Sequence, residues 1–370
     1  MTIRVLVVDD SVVIRRLVVQ ALESDPDVEV VSTAANGKLA LAKVEQLRPD
    51  AVTMDIEMPE LNGVEAVREL RRRGHTMPII MFSTLTERGA TATLDALSAG
   101  ASDYVAKPSN VGSINESLKA VADQLIPKIR ALVPGARTQP ARGGAVTPAR
   151  AAVSAVPAAR SVAPRPGARR HPVRAVVLGC STGGPEALSR VVERITVPLP
   201  VPMLVVQHMP AVFTRQLAHR LDRLGPSTVV EAEDGQALVP GGIYIAPGDT
   251  HLEVDGKAGN LRARITHGAP VNFCRPSVDV LFRSALERIG PDLLGVILTG
   301  MGADGKAGSG AIVEAGGTVV VQDEKTSVVW GMPGVTAQAG YAHRIIPILE
   351  IGQTISALVQ ASAAPQEVSQ

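Results

Sequence analysis

Short apolar runs alternate with amphipathic segments over the first 125 residues. The β-branched runs predict strands at residues 3–8, 28–34, 51–54, 79–82 and 104–106. The amphipathic segments predict helices at residues 12–22, 38–47, 63–73 and 91–99. Ser11 precedes the first of these and is expected to cap it. Five such βα units predict an α/β domain with a doubly wound parallel sheet.

The same alternation resumes at residue 173 and continues to residue 361. Strands are predicted at residues 173–178, 203–207, 242–246, 294–298, 317–321 and 328–329. Helices are predicted at residues 186–195, 213–224, 278–287, 308–315 and 348–361. We therefore expect a second, larger α/β domain of the Rossmann-like, doubly wound type, followed by a tail at residues 362–370.

The two patterned regions are separated by residues 126–172, which are rich in Pro, Ala and Arg and have no period. Residues 126–174 contain ten basic and no acidic side chains, a net charge of +10. This composition is typical of a semi-extended linker. We interpret its arginines as solvating the linker; docking on an acidic partner is the alternative.

Charge and composition exclude several classes of function. Residues 1–125 contain 13 basic and 18 acidic side chains (net −5), and residues 175–370 contain 14 and 18 (net −4). Neither part is typical of a nucleic-acid-binding domain, and aromatic residues make up only 2% of the chain. Two cysteines make no disulfide framework. Acids interrupt the N-terminal apolar run and no run reaches about 18 residues, so we expect a cytoplasmic protein without membrane insertion.

Polar side chains follow the predicted strands of the first domain. The carboxyl ends of parallel strands meet at one edge of a sheet, so these side chains are expected to line one crevice. Clustered carboxylates bind Mg²⁺, one of them can accept a phosphoryl group, and a lysine and a hydroxyl can neutralise its oxygens. The residues concerned are Asp9, Asp10, Asp55, Ser83, Thr84 and Lys107.

A second set of chemical groups follows strands of the second domain. Residues 179–183 match G-x-S-x-G, a turn that exposes a nucleophilic Ser181; a phosphate-binding loop or a plain tight turn is the alternative. His208 follows the next strand and Asp304 lies in a Gly-rich loop after a later one. We predict a triad of nucleophile, base and orienting acid. The three residues follow one another in the chain as Ser, His and Asp, whereas in α/β-hydrolases the order is Ser, Asp and His, so that superfamily is disfavoured. The backbone amides of Met301 and Thr182 are candidate oxyanion donors.

Other nucleophiles and imidazoles compete for these roles. Cys180 precedes Ser181, but its side chain is expected to point away from the crevice. The remaining histidines considered, interpreted as structural or surface residues, are His219, His251, His267 and His343. Because no H-x-H or H-x-x-x-H spacing occurs, we expect no metal or other cofactor in this domain.

Because of the acids, hydroxyls and lysine at its strand ends, the first domain resembles the receiver domain of two-component response regulators. The resemblance implies a flavodoxin-like (βα)5 fold with Asp55 as phospho-acceptor and a chemotaxis histidine kinase as phosphodonor. Asp10, Asp55 and the backbone carbonyl of Glu57 would hold Mg²⁺, with Asp9 acting through water. The remaining switch positions would be Ser83, with Thr84 as an alternative, the aromatic Tyr104, and Lys107.

Residues 173–360 resemble the catalytic domain of chemotaxis protein-glutamate methylesterases. The motifs are GCSTGG at 179–184, QHM at 207–209, IAPGDTH at 245–251, RPSVDVLF at 275–282, TGMG at 299–302, DG at 304–305 and WGMP at 330–333. The resemblance implies hydrolysis of glutamyl γ-methyl esters on methyl-accepting chemotaxis receptors with release of methanol, and deamidation of receptor glutamines. It also implies that the receiver packs over the active site until it is phosphorylated.

Three other functions are weighed against this one. A DNA-binding output would need a basic C-terminal domain with a recognition helix, which the net charge of −4 and the βα pattern disfavour. The second alternative is a receiver-regulated esterase that acts on another substrate or serves a non-chemotaxis chemosensory array. Only a substrate assay distinguishes it from a methylesterase of chemotaxis receptors. A catalytically inactive receptor-binding protein is disfavoured by the complete set of triad residues.

Overall fold

The computed structural model describes residues 2–108, 113–133, 135, 172–257 and 259–361. Its first sheet contains β1 (Ile3–Val8), β2 (Val28–Ala34), β3 (Ala51–Asp55), β4 (Ile79–Ser83) and β5 (Asp103–Ala106). The helices of this unit are α1 (Val12–Glu23), α2 (Gly37–Leu47), α3 (Gly63–Arg72), α4 (Glu87–Ser98) and α5 (Ile114–Leu132). The strands are parallel in the order β2-β1-β3-β4-β5, which confirms the flavodoxin-like doubly wound sheet.

Local sequence signals explain where these elements start. The Ser11 hydroxyl accepts a hydrogen bond from the Ile14 amide at 3.4 Å, so α1 is capped as predicted. Asn62 and Glu65 form a reciprocal capping box at the start of α3. Every residue of β3 and β4 is buried, because helices cover both faces of a parallel sheet, and this burial explains their continuous apolar runs.

The predicted start of the linker at residue 126 is wrong, because α5 continues to Leu132. Its buried residues Val121, Leu125 and Ile129 repeat at a spacing of four, so the helix keeps one face on the sheet past Pro127. The composition shift therefore begins inside the last helix of the first unit. Most of the rest of the predicted linker lies outside the described residues.

The second unit is built on a seven-stranded parallel sheet and a separate hairpin. Its strands are β6 (Ala175–Cys180), β7 (Met203–Gln207), β8 (Thr228–Glu231), β9 (Gly242–Ile245), β10 (His251–Lys257), β11 (Asn260–Thr266), β12 (Leu293–Ile297), β13 (Thr318–Gln322) and β14 (Arg344–Ile346). Its helices are α6 (Gly184–Glu193), α7 (Ala211–Leu221), α8 (Val278–Ile289), α9 (Lys306–Glu314), α10 (Met332–Gln338) and α11 (Ile348–Ala361). The sheet order is β14-β13-β12-β6-β7-β9-β8, and β10 pairs with β11 in an antiparallel hairpin.

The topology of this sheet places the site. The chain leaves β6 toward β7 on one side and later returns to β12 on the other side of β6. A crevice opens at such a switch point, beyond the carboxyl ends of the two strands. The predicted nucleophile follows β6, and the Gly-rich loop of Asp304 follows β12.

Several elements differ from the sequence prediction. Residues 328–329 are not a strand; instead the Val329 amide donates to the Thr299 hydroxyl at 3.0 Å, and Trp330 forms an isolated bridge with Gly300. The prediction missed the strands β8, β10, β11 and β14 and the helices α5 and α10. The β10–β11 hairpin carries charged residues on its exposed face, and β14 has only three residues, so neither has a continuous apolar run.

Candidate active site and phosphorylation site

Ser181 lies on a tight turn between β6 and α6. Gly183 has φ of 74°, a left-handed conformation that glycine adopts without strain. A Cβ atom on Gly184 would lie 1.9 Å from the Gln207 side-chain oxygen, so only glycine fits there. The Ser181 amide donates to the Thr299 carbonyl at 3.0 Å, which ties the turn to the loop after β12. The sequence motif thus folds as the predicted strand–turn–helix.

The neighbouring Cys180 faces the interior, as the sequence predicted. It is buried, and its sulfur lies 3.7 Å from the Val206 carbonyl. Burial raises the pKa of the Cys180 thiol well above its ordinary value. A neutral, buried thiol is a poor nucleophile.

Asp304 is held in place by several hydrogen-bond donors around its buried carboxylate. His208 Nε2 lies 2.8 Å from Asp304 Oδ2, so the predicted base and orienting acid do meet. The other donors are the Asn272 side chain (2.9 Å), the Ser277 hydroxyl (2.8 Å), and the amides of Val278 (2.6 Å), Asp279 (3.2 Å) and Gly305 (3.1 Å). Such a carboxylate has little freedom to turn, so it fixes the orientation of the imidazole.

Sequence reasoning missed the residues that support Asp304. Asn272 donates from the same nitrogen to Asp304 and to Asp279, whose second oxygen accepts from the Gly308 amide at 2.6 Å. Burial raises the pKa of the Asp279 carboxyl, and the charge of Asp304 adds to this. The only sequence signal was the group of polar residues directly before and in the first turn of α8.

The second imidazole nitrogen of His208 faces a cysteine. His208 Nδ1 lies 3.6 Å from Cys274 Sγ, and no hydrogen bond between Ser181 and His208 is present within the described residues. The predicted triad is thus joined between acid and base but open between base and nucleophile. The His208 amide donates to the Cys180 carbonyl at 3.2 Å, so the two residues do lie on neighbouring strand ends. Because Nε2 is engaged by Asp304, Nδ1 is the nitrogen available to Ser181.

Potential metal ligands also converge here, although the spacing argument predicted none. Ligand atoms of His208, Cys274 and Asp304 lie within 4.8 Å of one another. Both Asp304 oxygens, however, already accept several hydrogen bonds. Among the competing histidines, His251 has a structural role, because Nδ1 accepts from the Ser277 amide (3.2 Å) and Nε2 contacts the Ala269 carbonyl (3.0 Å).

The electrostatics of His208 favour its charged form. Burial lowers the pKa of the imidazole, but the hydrogen bonds and charges of Asp304 and Cys274 together raise it more, to about 9. Burial raises the pKa of the Asp304 carboxyl. His208 and the other donors lower it by more than burial raises it, so that the pKa is about 2. The resting pair is therefore an imidazolium and a carboxylate.

These pKa values predict the pH dependence of both rate and stability. We expect kcat/KM for a small ester to rise with pH up to about 9, because only a neutral imidazole can accept the serine proton. The folded pKa of His208 exceeds its ordinary value of 6.5, so the pair stabilises the fold fully below pH 6.5 and loses this contribution as pH rises through about 9. A pH–rate profile and thermal unfolding at each pH measure the two effects. Cys274→Ala should move the midpoint to lower pH, and equal midpoints near 6.5 in both proteins would contradict the interpretation.

The candidate oxyanion donors flank Ser181. A Cβ atom on Gly300 would lie 2.9 Å from Ser181 Cβ, so the backbone that leads into Met301 packs directly on the nucleophile. Within the described residues, the amides of Thr182 and Met301 have no hydrogen-bond partner. Two free amides beside a serine are what an oxyanion hole requires.

A cluster of acids in the first unit matches the predicted phosphorylation site. Carboxylate oxygens of Asp9, Asp10 and Asp55 lie within 4.8 Å of one another. Lys107 Nζ contacts Asp9 at 2.9 Å and Asp55 at 2.8 Å. Burial raises the pKa of Asp55 to about 6 despite Lys107, and the charge of Asp9 adds to the rise. Three carboxylates held this closely suit a divalent cation, which would relieve their repulsion.

Of the predicted switch positions, Ser83, Thr84 and Lys107 lie at this cluster, whereas Tyr104 lies toward the methylesterase unit. Ser83, Thr84 and Glu57 border the same cleft as Asp55. The buried Ser83 hydroxyl donates to the Gly89 carbonyl at 3.2 Å, whereas Thr84 is exposed. The Glu57 side chain forms an exposed ion pair with Arg88 at 3.4 Å, and its backbone carbonyl is the atom that the receiver resemblance assigns to a metal.

Comparison with known proteins matches both units of the chain. The profile of the response regulator receiver domain matches residues 5–119, and that of CheB methylesterase matches residues 176–355. A protein-glutamate methylesterase/protein-glutamine glutaminase from a Nocardioides species is 59% identical over 95% of this chain and 94% of its own length. The chain belongs to the CheB methylesterase family. A relative of the same name from Trichodesmium erythraeum is 41% identical over 95% of this chain and 97% of its own.

A solved structure was also found for the second unit alone. The CheB methylesterase catalytic domain of Thermotoga maritima is 40% identical, covers 51% of this chain and 98% of its own, and has a TM-score of 0.49. Within the described residues, no helix is long and apolar enough to cross a membrane.

The receiver contacts the methylesterase unit beside its nucleophile. The Thr182 hydroxyl donates to the Asp103 carboxylate of β5 at 2.9 Å, and Thr182 is buried. Next to it, the Tyr104 ring stacks on Phe213 of α7 with centroids 4.8 Å apart. Arg220 donates to Asp95 (2.9 Å) and Ser98 (2.6 Å) of α4. The receiver therefore covers one side of the Ser181 turn.

Proposed function

We propose that this chain is a phosphorylation-regulated serine hydrolase that removes methyl groups from glutamyl γ-methyl esters of methyl-accepting chemotaxis receptors. The observation that carries the proposal is the Asp304-bound His208 beside the Ser181 turn, next to the contact between Thr182 and the receiver. The family membership supports the same substrate class. Receptor glutamines would be deamidated by the same machinery, and the protein would act on the cytoplasmic side of its receptors.

The geometry suggests how each group takes part in hydrolysis. Ser181 Oγ attacks the ester carbonyl carbon while its proton passes to His208 Nδ1. The amides of Thr182 and Met301 stabilise the oxyanion, and His208 returns the proton to the departing methoxide, which leaves as methanol. Water, deprotonated by His208, then attacks the acyl-serine, and the products are a glutamate side chain and free Ser181. With a glutamine substrate, ammonia leaves in place of methanol.

Phosphorylation of Asp55 by a chemotaxis histidine kinase would control this reaction. Asp10, Asp55 and the Glu57 carbonyl would hold Mg²⁺, with Asp9 acting through water, and the ion would supply charge neutralisation for phosphoryl transfer. Lys107 contacts Asp55 directly after β5, and the other end of this short strand carries the residues that contact the methylesterase unit. The strand β5 therefore connects the phosphorylation site at Asp55 with the contact that covers the Ser181 turn.

The experiment measures methanol release from methylated receptor with and without acetyl phosphate and Mg²⁺. We expect the phosphodonor to raise the rate roughly 10-fold, because weakening the receiver contact by about 1.4 kcal/mol changes its equilibrium tenfold. Asp55→Asn should remove this response, since the amide cannot form the acyl phosphate. Mass spectrometry should locate the phosphoryl group on Asp55.

Arg220→Ala is the matched variant that weakens the same contact without changing the phosphorylation site. It loses the hydrogen bonds to Asp95 and Ser98, so it should raise the rate without phosphodonor. An unchanged rate would contradict an inhibitory role for this contact. Hydrolysis of small esters without any release from methylated receptor would instead favour a receiver-regulated esterase with another substrate.

A further inference from the structure

A two-residue hairpin turn lies beside the triad and carries an unusual residue at its tip. Val271 and Cys274 exchange two backbone hydrogen bonds, of 3.1 and 2.9 Å, around Asn272 and Phe273. Both central residues have positive φ, 53° and 62°. Turns of this kind favour Asn at the first central position and Gly at the second. Asn272 fits the preference, whereas a bulky Phe273 in a left-handed conformation is strained.

This turn is anchored to the catalytic groups. Asn272 donates to Asp304 at 2.9 Å and to Asp279 at 2.8 Å. Cys274, at the other end, lies 3.6 Å from His208 Nδ1. The position of Phe273 relative to the reacting groups is therefore set by contacts on both sides of it.

Phe273 is the one phenylalanine of the chain that is not buried. The sequence contains four, and Phe82, Phe213 and Phe282 are all in the core, whereas Phe273 has a relative exposure of 103%. Its ring therefore contributes no burial to the fold, while its backbone conformation costs stability. A strained residue that does not stabilise the fold points to a role with a partner.

The surroundings indicate what kind of partner fits. Two further exposed apolar side chains lie on loops that touch the Ser181 turn: Met301, which follows Gly300, and Val328, which packs on Gly183. A single methyl ester is too small to cover an aromatic ring, but apolar side chains of the protein segment that carries the ester can do so. Phe273 also borders a cleft that is lined on its other side by Tyr104 and Lys128 of the receiver, so movement of the receiver would open it further.

We propose that Phe273 is a substrate-docking residue, which packs on apolar side chains of the receptor segment that carries the methylated glutamate. The inference rests on the proposed function and adds to it how the protein substrate is held. The ring sets the position of the receptor segment relative to Ser181, while the contacts of Asn272 and Cys274 hold the turn against the triad.

The test compares Phe273→Gly and Phe273→Ala with the wild-type full chain, in acetyl phosphate and Mg²⁺. Two rates are measured: methanol release from methylated receptor, and hydrolysis of p-nitrophenyl acetate as a measure of the chemistry alone. We expect the ratio of receptor kcat/KM to small-ester kcat/KM to fall about 10–100-fold in both variants, as for loss of a buried aromatic side chain. Phe273→Leu should lose less, because it keeps an apolar side chain.

Thermal unfolding distinguishes docking from a structural role. Phe273→Gly should unfold a few degrees higher than Phe273→Ala, because glycine alone relieves the positive φ. A residue that supported the turn would instead lower stability and both rates together when replaced by glycine. A rate ratio within twofold of wild type in both variants, or a parallel fall of both rates, overturns the docking role. If wild type hydrolyses the small ester but releases no methanol from receptor, the proposed function fails and the receptor is excluded as the partner.

Discussion

Ser181→Ala is expected to lower kcat for methanol release by ~10³–10⁶-fold. Alanine removes the oxygen that forms the acyl-enzyme, while the amides of Thr182 and Met301 remain. The residual rate should come from those amides and from substrate binding. Initial rates on methylated receptor, supported by single-turnover measurements, test the expectation.

The fold should survive this change. The Ser181 backbone holds the turn through Thr299 and Gly184, and its side chain makes no hydrogen bond within the described residues. Ser189→Ala is a matched control in the following helix: its hydroxyl donates only to the Pro185 carbonyl, and the variant should stay within about twofold of the wild-type rate. Near-normal methanol release by Ser181→Ala would rule out serine as the nucleophile.

Asp304→Asn is expected to lower kcat by about 10⁴-fold. When the imidazole is neutral, the carboxylate accepts from His208 Nε2, which leaves the Nδ1 lone pair for Ser181. An asparagine amide group turned toward His208 would donate to Nε2 and move the proton to Nδ1, the nitrogen that must act as base. The alternative amide orientation would place the NH2 group against the Ser277 hydroxyl and the Asp279 amide, which both donate to the other oxygen, Asp304 Oδ1.

Two measurements separate this effect from unfolding. The pKa of His208 should fall toward its ordinary value, so the remaining activity should reach its plateau at lower pH than in wild type. Unpaired buried donors should also lower stability, by about 1–3 kcal/mol. Asp255→Asn, a control on an exposed carboxylate in β10, should change neither quantity. A rate within tenfold of wild type at every pH would show that Asp304 does not orient the base.

Local pattern was sufficient for the two α/β units and for the location of their sites. Apolar runs predicted the five strands of the receiver because helices cover both faces of its sheet. Residues at strand ends converge at one edge of their own sheet because parallel strands end there, which brings Asp9 and Asp55 together in the first unit and Ser181 and His208 in the second. Apolar runs did not predict the hairpin β10–β11, whose strands are partly exposed. At the end of α5, the Pro, Ala and Arg composition predicted a linker, although the helical spacing of buried residues continues to Ile129.

Tertiary packing alone decided how these groups are held. Asn272 and Ser277 lie 32 and 27 positions from Asp304 in the chain, and Asp103 lies 79 positions from Thr182. No local period links such pairs, since their contacts depend on how loops from different strands fold over one crevice. The contact of Cys274 with His208 and the exposure of Phe273 arise in the same way, from a turn whose backbone is held by side-chain hydrogen bonds to a distant loop. Strand periodicity reports which residues reach the edge of the sheet, whereas hydrogen bonds between distant segments determine which of them touch.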